Sequence, residues 1–397
     1  SALLAMEDVE RLTAVVRKGI RSMNFYLRSF DPDGGCDEGP AYWNYGMSNY
    51  AWLSYLLEAR TEGRVSLMET PEMPGIAMFP QRATLSGQNV VNFSDCPPRV
   101  GFSASLMFYL GERLGLPQVS GFAQHQHDIN PRAWGLRDIA WMPERPHQEG
   151  FRREMHVYFS GMQWMVSRSD PADDECLMLA AKGGNNGENH NQNDVGNFIA
   201  HLGGESLIVD LGSGSYTKDY FGPRRYEILV NSSWGHNVPL VNGYQQAPGP
   251  EHASRVLEHR SSESEDVLDL ELKDAYPVDA GIRSLRRRTS LHRGETGPWI
   301  EMADAVKLAG GPGQYKCPLY TWGNVSLDGD GVLRISGERA AIRVQFEPVH
   351  PRVAVQQVDL KDEKFPRKVR RAVIQMPIRR RSGELRLRIV PESLGGV

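Results

Sequence analysis

The chain has 397 residues, with 45 lysines and arginines against 49 aspartates and glutamates, giving a formal charge of −4 and a composition that is 40% hydrophobic and 24% charged. That balance excludes a general nucleic-acid binder, which needs a cationic excess to neutralise phosphates, and the apolar share is ample for two or three packed domains. Cys36, Cys96, Cys176 and Cys317 stand far apart with no CxxC pair, so neither a zinc ribbon nor a dense disulfide framework is encoded, and no apolar run approaches the roughly 20 residues of a membrane span.

The opening SALLAMEDVE lacks a basic stretch followed by an apolar one, so no secretion signal is visible; the chain reads as soluble, with its compartment undecided. From Glu7 to about Phe30, Val9, Leu12, Val16, Ile20, Met23 and Leu27 recur at three and four, which predicts an amphipathic helix stopped by DPDGG. Trp43 to Leu57 and Ala104 to Leu114 read as two more helices, the latter closed by Gly115 and Pro117. Between Pro117 and Gly150, Pro, Gly, His and Gln accumulate without periodicity, as in a linker joining a helical region (1–150) to a stranded one (151–397).

Short alternating or β-branched runs follow: His156–Val166, Leu177–Ala181, Asn197–Leu202, Ser206–Leu211, Val267–Leu272, Ser284–His292, Val332–Ser336, Ala341–Phe346, Val353–Val358, Ala372–Gln375 and Leu385–Val390. Strands with almost no helix between them predict a large antiparallel β-sandwich. Gly203-Gly204 suits a two-residue hairpin turn. Pairing across it sets Asp210 opposite Asn197 and leaves Gln192 on the other face, unless a one-residue bulge at Gly196 brings them together.

Four stretches look chemical. DGGCDEGPAYWNYG (Asp33–Gly46) gathers acids, glycines and aromatics at a helix start, which is equally the pattern of a capped helix with rings packed beneath it. GENHNQNDVGNF (Gly187–Phe198) crowds one imidazole, one carboxylate and several amides ahead of an apolar run; a solvated loop of self-closing Asn turns is the plain alternative. LIVDLGSGSYTKDYFGPRRYE ends a strand on Asp210 and carries tyrosines and arginines, types that stack on a pyranose and pair with its carboxylate, although a surface loop would look similar. WGHNVPLVNGYQQ places His236 and Asn237 before a strand-turn element.

Together and in this order, these stretches resemble the heparinase II/III family of polysaccharide lyases over most of residues 10 to 250. The resemblance implies a partial (α/α) toroid followed by a β-sandwich, and β-elimination on an anionic, uronate-containing polysaccharide. It implies Tyr42 as the tyrosine acting as acid or base and His190 as the sandwich histidine facing it, with Glu38, Trp43, Tyr45, Asn191, Arg225 and Tyr226 as substrate-binding residues. Relatives hold a divalent metal, usually zinc, at positions that are Gln192, Asp210 and His236 here, and Gln is a weak ligand for zinc.

The family's uronate-neutralising donor precedes the segment resembling residues 10 to 30, so the chain reads as the C-terminal portion of a longer protein or as a degenerate member. Asn44, Asn49 and His125 are the candidate substitutes, and an uncovered apolar helix face is expected. A glycan-binding protein without turnover, or a hydrolase using Asp33 and Glu38, are the other readings. The cationic runs Arg283–Arg293 and Lys364–Arg381 read as solvated strand faces, or else as docking points for an anionic polysaccharide.

Overall fold

The structure is a computed structural model and describes residues 8–131, 135–145, 150–328, 331–347, 351–360 and 367–392. Six α-helices lie among the described residues: α1 Val9–Leu27, α2 Pro40–Arg60, α3 Met73–Ala83, α4 Ala104–Leu114, α5 Pro117–Ile129 and α6 Leu136–Trp141. None is long and apolar enough to cross a membrane. They form a helical layer, and a closed toroid is not evident in them.

Asp8 caps α1 through the Arg11 amide, yet no residue of this helix is fully buried, and Val9 and Phe25 remain 68% and 65% exposed. The expected apolar face is thus only partly covered. The helix α4 has the predicted bounds because Ser103 accepts from the Leu106 amide at one end and Gly115 takes a left-handed conformation at the other.

Two helices were hidden by their prolines and glycines. In α3, Pro74 falls in the first turn, where no N–H is required, and Gly75 allows the backbone of Gly34 to touch it. The segment from Pro117 to Gly150, expected to be a linker, instead carries α6, with Trp141 buried, and the helix α5, with Val119, Phe122 and Ala123 buried. Its Ser120 packs against Gly111 of α4, where a Cβ would overlap the hydroxyl.

The sheets are antiparallel throughout. A five-stranded sheet runs His156–Phe159, Trp164–Arg168, Met178–Lys182, Phe198–Leu202, Glu205–Ile208. His156–Val166 is therefore a hairpin rather than one strand, turning where Gln163 has φ 55°. A four-stranded sheet orders Arg352–Leu360, Arg367–Ile378, Gly313–Thr321 and Leu240–Val241. An eight-stranded sheet orders Arg255–Ser261, Glu265–Glu271, Ile282–Gly294, Gly297–Leu308, Ser382–Glu392, Ala341–Glu347, Leu333–Ser336 and Asn324–Leu327.

One apolar core joins the eight-stranded sheet to the other two through residues such as Leu179, Phe198, Ile300, Cys317, Ile374 and Leu387. A second core joins the helices to the opposite face of the five-stranded sheet through Trp164, Val166, Met178 and Ile199. The five-stranded sheet is thus the middle layer, covered on both sides, which is why its strands read as continuous apolar runs.

Inside the sandwich, Arg287 donates through Nε and an Nη to Asp304 at 2.8 and 2.6 Å, and its other Nη donates to the carbonyls of Gly196 and Asn237 at 2.9 and 2.6 Å. This satisfied buried pair ties two loops to the sheet. In the first basic run, Arg288 pairs with Glu258, Arg293 with Asp266 and Arg286 with Asp269, so these arginines serve the sheet. Of the second run, residues 364–366 lie outside the described residues.

His201 links the middle sheet to the helical layer. It is fully buried, with Nε2 2.7 Å from Ser86 Oγ and Nδ1 3.0 Å from Ser206 Oγ. Burial, reinforced by Arg168, Arg153 and Arg339, pushes its pKa from 6.5 down to about 3. The native state therefore binds fewer protons than the unfolded state below pH 6.5, and this stability is present above that pH and lost progressively as pH falls from there toward about 3. Between pH 7 and pH 5 the contribution is about 2 kcal/mol. Urea denaturation of His201→Gln is expected to show a smaller pH 7-to-5 loss by that amount, whereas equal losses in both proteins would contradict the assignment.

Candidate active site

Gly39, with φ 88°, precedes α2, and a Cβ there would press on the Phe93 carbonyl at 3.1 Å. Pro40 then starts the helix, and the turn of about 100° per residue sends neighbouring rings apart. Trp43 goes inward: it is fully buried and its Nε1 donates to the Ile76 carbonyl at 2.8 Å, so it is a core residue and not the substrate-binding one expected. Tyr42 faces the sandwich.

His190 meets it there. The rings stack with centroids 4.3 Å apart. His190 holds φ 54°, an uncommon conformation for a residue other than glycine, in the loop that leads to the middle sheet. Its Nδ1 lies 2.9 Å from Asp95 Oδ2. Tyr42 shares a 2.7 Å hydroxyl–hydroxyl hydrogen bond with Tyr216, whose OH also reaches Asp95 Oδ2 at 3.2 Å. Phe221, 61% exposed, stands edge-on to Tyr216 and His190.

Asp95 is therefore the hub. Its side chain is shielded from solvent and accepts from His190, the Tyr220 and Tyr216 hydroxyls, and Gln192 Nε2 at 3.1 Å, with an Arg225 Nη at 3.4 Å. Burial alone would raise its pKa, but the hydrogen bonds from His190 and Tyr220 and the Arg225 charge outweigh it, and the carboxyl sits below its ordinary range. The hydrogen bond to Asp95 is also what raises the His190 pKa, against partial burial. Burial raises the Tyr42 phenol.

Arg225, expected to bind substrate, donates to the Asn191 carbonyl at 2.9 and 2.7 Å and to the Tyr220 carbonyl at 2.9 Å. Its donors hold the loop. Asn191 Nδ2 donates to the Asn186 carbonyl at 2.9 Å and the Tyr226 hydroxyl at 3.3 Å, so these two residues meet each other behind His190. Tyr45 is 73% exposed on α2. The carboxyl of Glu38 is raised, chiefly by burial, with His190 acting in the opposite sense. Asp33 is spent on the fold, accepting from the Ser160 amide and hydroxyl at 2.6 and 3.0 Å and the Gly35 amide at 3.0 Å.

Asn44 accepts from the Ser103 amide, Asn49 from Arg137, and His125 packs against Phe151, so these contacts lie outside the Tyr42–His190 group.

Behind Asp95, Asp210 accepts from Asn197 Nδ2 at 2.5 Å and lies 3.1 Å from His236 Nδ1, while His236 Nε2 is 2.9 Å from the Val230 carbonyl. The register shift in this hairpin falls between Ala200 and His201, not at Gly196. The third carboxylate-or-imidazole donor grouped with this pair is Asp194, all ligand atoms lying within 4.8 Å of one another. Gln192 spends its amide nitrogen on Ser94 O, Asp95 Oδ1 and Gly212 O. Gln192 Oε1 and Asp194 Oδ2 are buried without a hydrogen-bond partner, and Lys182 Nζ is 2.8 Å from Asp194 Oδ1.

No protein-family model matches the sequence, and no curated protein matches it by sequence. Among solved structures the chain is similar to the heparan sulfate lyase HepC from Pedobacter heparinus, with a TM-score of 0.74 and 13% identity over 99% of this chain and 58% of that one. It is also similar to a heparinase III gene product, with a TM-score of 0.72 and 14% identity over 96% of this chain and 55% of that one. A Paenibacillus xanthan lyase follows at 0.52 and 11%, over 89% of this chain and 38% of that one. The fold is shared with these three proteins. The chain spans well under two thirds of each of these proteins.

Asp95 was not among the expected site residues, while Tyr216 and Tyr220 belong to the stretch after Asp210 whose tyrosines and arginines suited a sugar carboxylate. Removing the hub takes an acceptor from His190, Tyr220 and Tyr216 and one of several from Gln192 and Arg225. Asp95→Ala is expected to lower the unfolding free energy by about 3 kcal/mol in urea; a loss below about 1 kcal/mol would show that the hub does not organise the site.

Proposed function

We propose that the protein cleaves a uronate-containing polysaccharide by β-elimination at the Tyr42–His190 contact. The observation that carries this reading is the stacked pair joined through Asp95 and Tyr216. With Nδ1–H given to Asp95, the His190 Nε2 lone pair is oriented outward and takes the proton from C5 of the uronate. The C5 electrons form the C4–C5 double bond, the C4–O4 bond breaks, and the Tyr42 O–H, kept protonated by burial, donates to the departing O4. After the products leave, His190 releases the C5 proton to solvent and Tyr42, hydrogen-bonded to Tyr216, takes one back, so both groups regain their starting states. The exposed rings of Phe221 and Tyr45 supply faces on which a pyranose stacks.

The hydrolase reading needs two available carboxylates, and Asp33, one of its pair, is occupied by backbone amides. A binder without turnover is the remaining rival. Tyr42→Phe and His190→Ala are each expected to lower the rate of unsaturated-uronate formation, followed by its ultraviolet absorbance, by about 100-fold or more; Tyr42→Phe keeps its melting temperature, whereas His190→Ala, which withdraws a donor from Asp95, lowers it. Full turnover by either variant would remove the residue from the reaction.

Asp210 and His236, with the unpartnered oxygens of Gln192 and Asp194, fit a divalent cation, and the oxygen-rich set suits calcium or manganese better than zinc. Such an ion would pin the loop carrying Gln192 to the strand end at Asp210, a structural contribution. Chelation is expected to lower the melting temperature by a few degrees and added calcium or manganese to restore it, because a ligand of the native state alone stabilises it. Metal-free protein with an unchanged melting curve after either treatment would contradict the cation.

A further inference from the structure

A cavity of about 660 Å3 opens where the segment Asn89–Arg99 meets the sheets; Asp210 lines it, and Tyr42 and His190 do not. Its volume lies in the range of small-ligand sites. The indole of Trp322 forms part of its wall, and the same side chain packs against the cluster containing Val209 and Val369. The amide nitrogen of Asn89 donates to Ser86 O and Gly204 O at 3.1 and 3.0 Å, and that of Asn92 to Asp210 O at 3.2 Å. Both amides are thereby fixed, and among the described residues their carbonyl oxygens accept no hydrogen bond, so they remain acceptors for hydroxyl groups.

The wall carries two cations, Arg99 and Lys368, and three carboxylates, Glu205, Asp210 and Glu338. Arg99 and Lys368 line the cavity and form no ion pair among the described residues, in contrast to the paired arginines of the first basic run. Of these acids, Glu205 is satisfied by the backbone amides of Glu338, Arg339 and Ala340 at 3.1, 2.7 and 2.8 Å, and Asp210 by Asn197, the Gly212 amide and His236. Glu338 stands exposed. An aromatic face, fixed amide oxygens and two cations together recognise a pyranose that carries both hydroxyls and an acid group.

We propose that this cavity is a second glycan site, binding a uronate residue outside the catalytic cleft. The assignment stands on the cavity's own chemistry and does not require elimination at Tyr42. It is tested in Tyr42→Phe protein carrying 5-fluorotryptophan, where the Trp322 signal is the fluorine resonance that disappears in Trp322→Phe. Titration with a tetrasaccharide of β-1,4-linked glucuronate is expected to shift that resonance saturably, while cellotetraose, its neutral twin, leaves it in place. Lys368→Glu, an exposed substitution, is expected to weaken the titration roughly tenfold, the worth of one charge-assisted contact. A Trp322 resonance that does not move at millimolar tetraglucuronate, that moves equally with cellotetraose, or that titrates unchanged in Lys368→Glu overturns the proposal. Because this readout involves no cleavage, failure of the elimination reading would leave it intact.

Discussion

A buried carboxylate holds the site together. Asp95 lies in the irregular segment between α3 and α4, yet its partners come from residues 190 to 225 on the sheet side. Withdrawing a carboxylate from water costs several kcal/mol unless donors replace the solvent. Here an imidazole, two phenols, an amide and a guanidinium do so. Each of those donors is fixed in return. The helical layer and the sheet layer therefore meet in one register at this point, and Tyr42 and His190 come into contact because of it.

The surrounding fold serves that register. The middle sheet is packed on both faces, so its strands cannot slide without disturbing two cores. Glycines mark the places where backbones touch: Gly34 against Gly75, and Gly39 against Phe93, just ahead of Tyr42. Arg287, buried with Asp304, reaches the carbonyls of Gly196 and Asn237, which flank the Asp210–His236 pair. The positive φ of His190 is kept by these constraints rather than by its own preference.

Much of this was legible in the sequence, and the rest was hidden for physical reasons. The helix Ala104–Leu114 carries its cap and its terminating glycine locally, so its bounds could be read. Tyr42 and His190 sat in motifs dense enough to single out. Trp43 was misplaced because adjacency along a chain is not adjacency on a helix. The strand Gly297–Leu308 went unread although its inward positions alternate, since Asp304 interrupts the apolar series and is explained only by Arg287, its neighbour on the adjoining strand. Asp95 left no local signal at all: its meaning lies in contacts about a hundred residues away.

The central claim is that this contact breaks a glycosidic bond without adding water. Digestion of a uronate polymer in water enriched in heavy oxygen, followed by mass spectrometry of the fragments, tests it most directly. Elimination predicts fragments lighter by one water than saturated oligosaccharides, with no heavy oxygen incorporated during cleavage. Saturated fragments carrying one heavy oxygen at each new reducing end would contradict it.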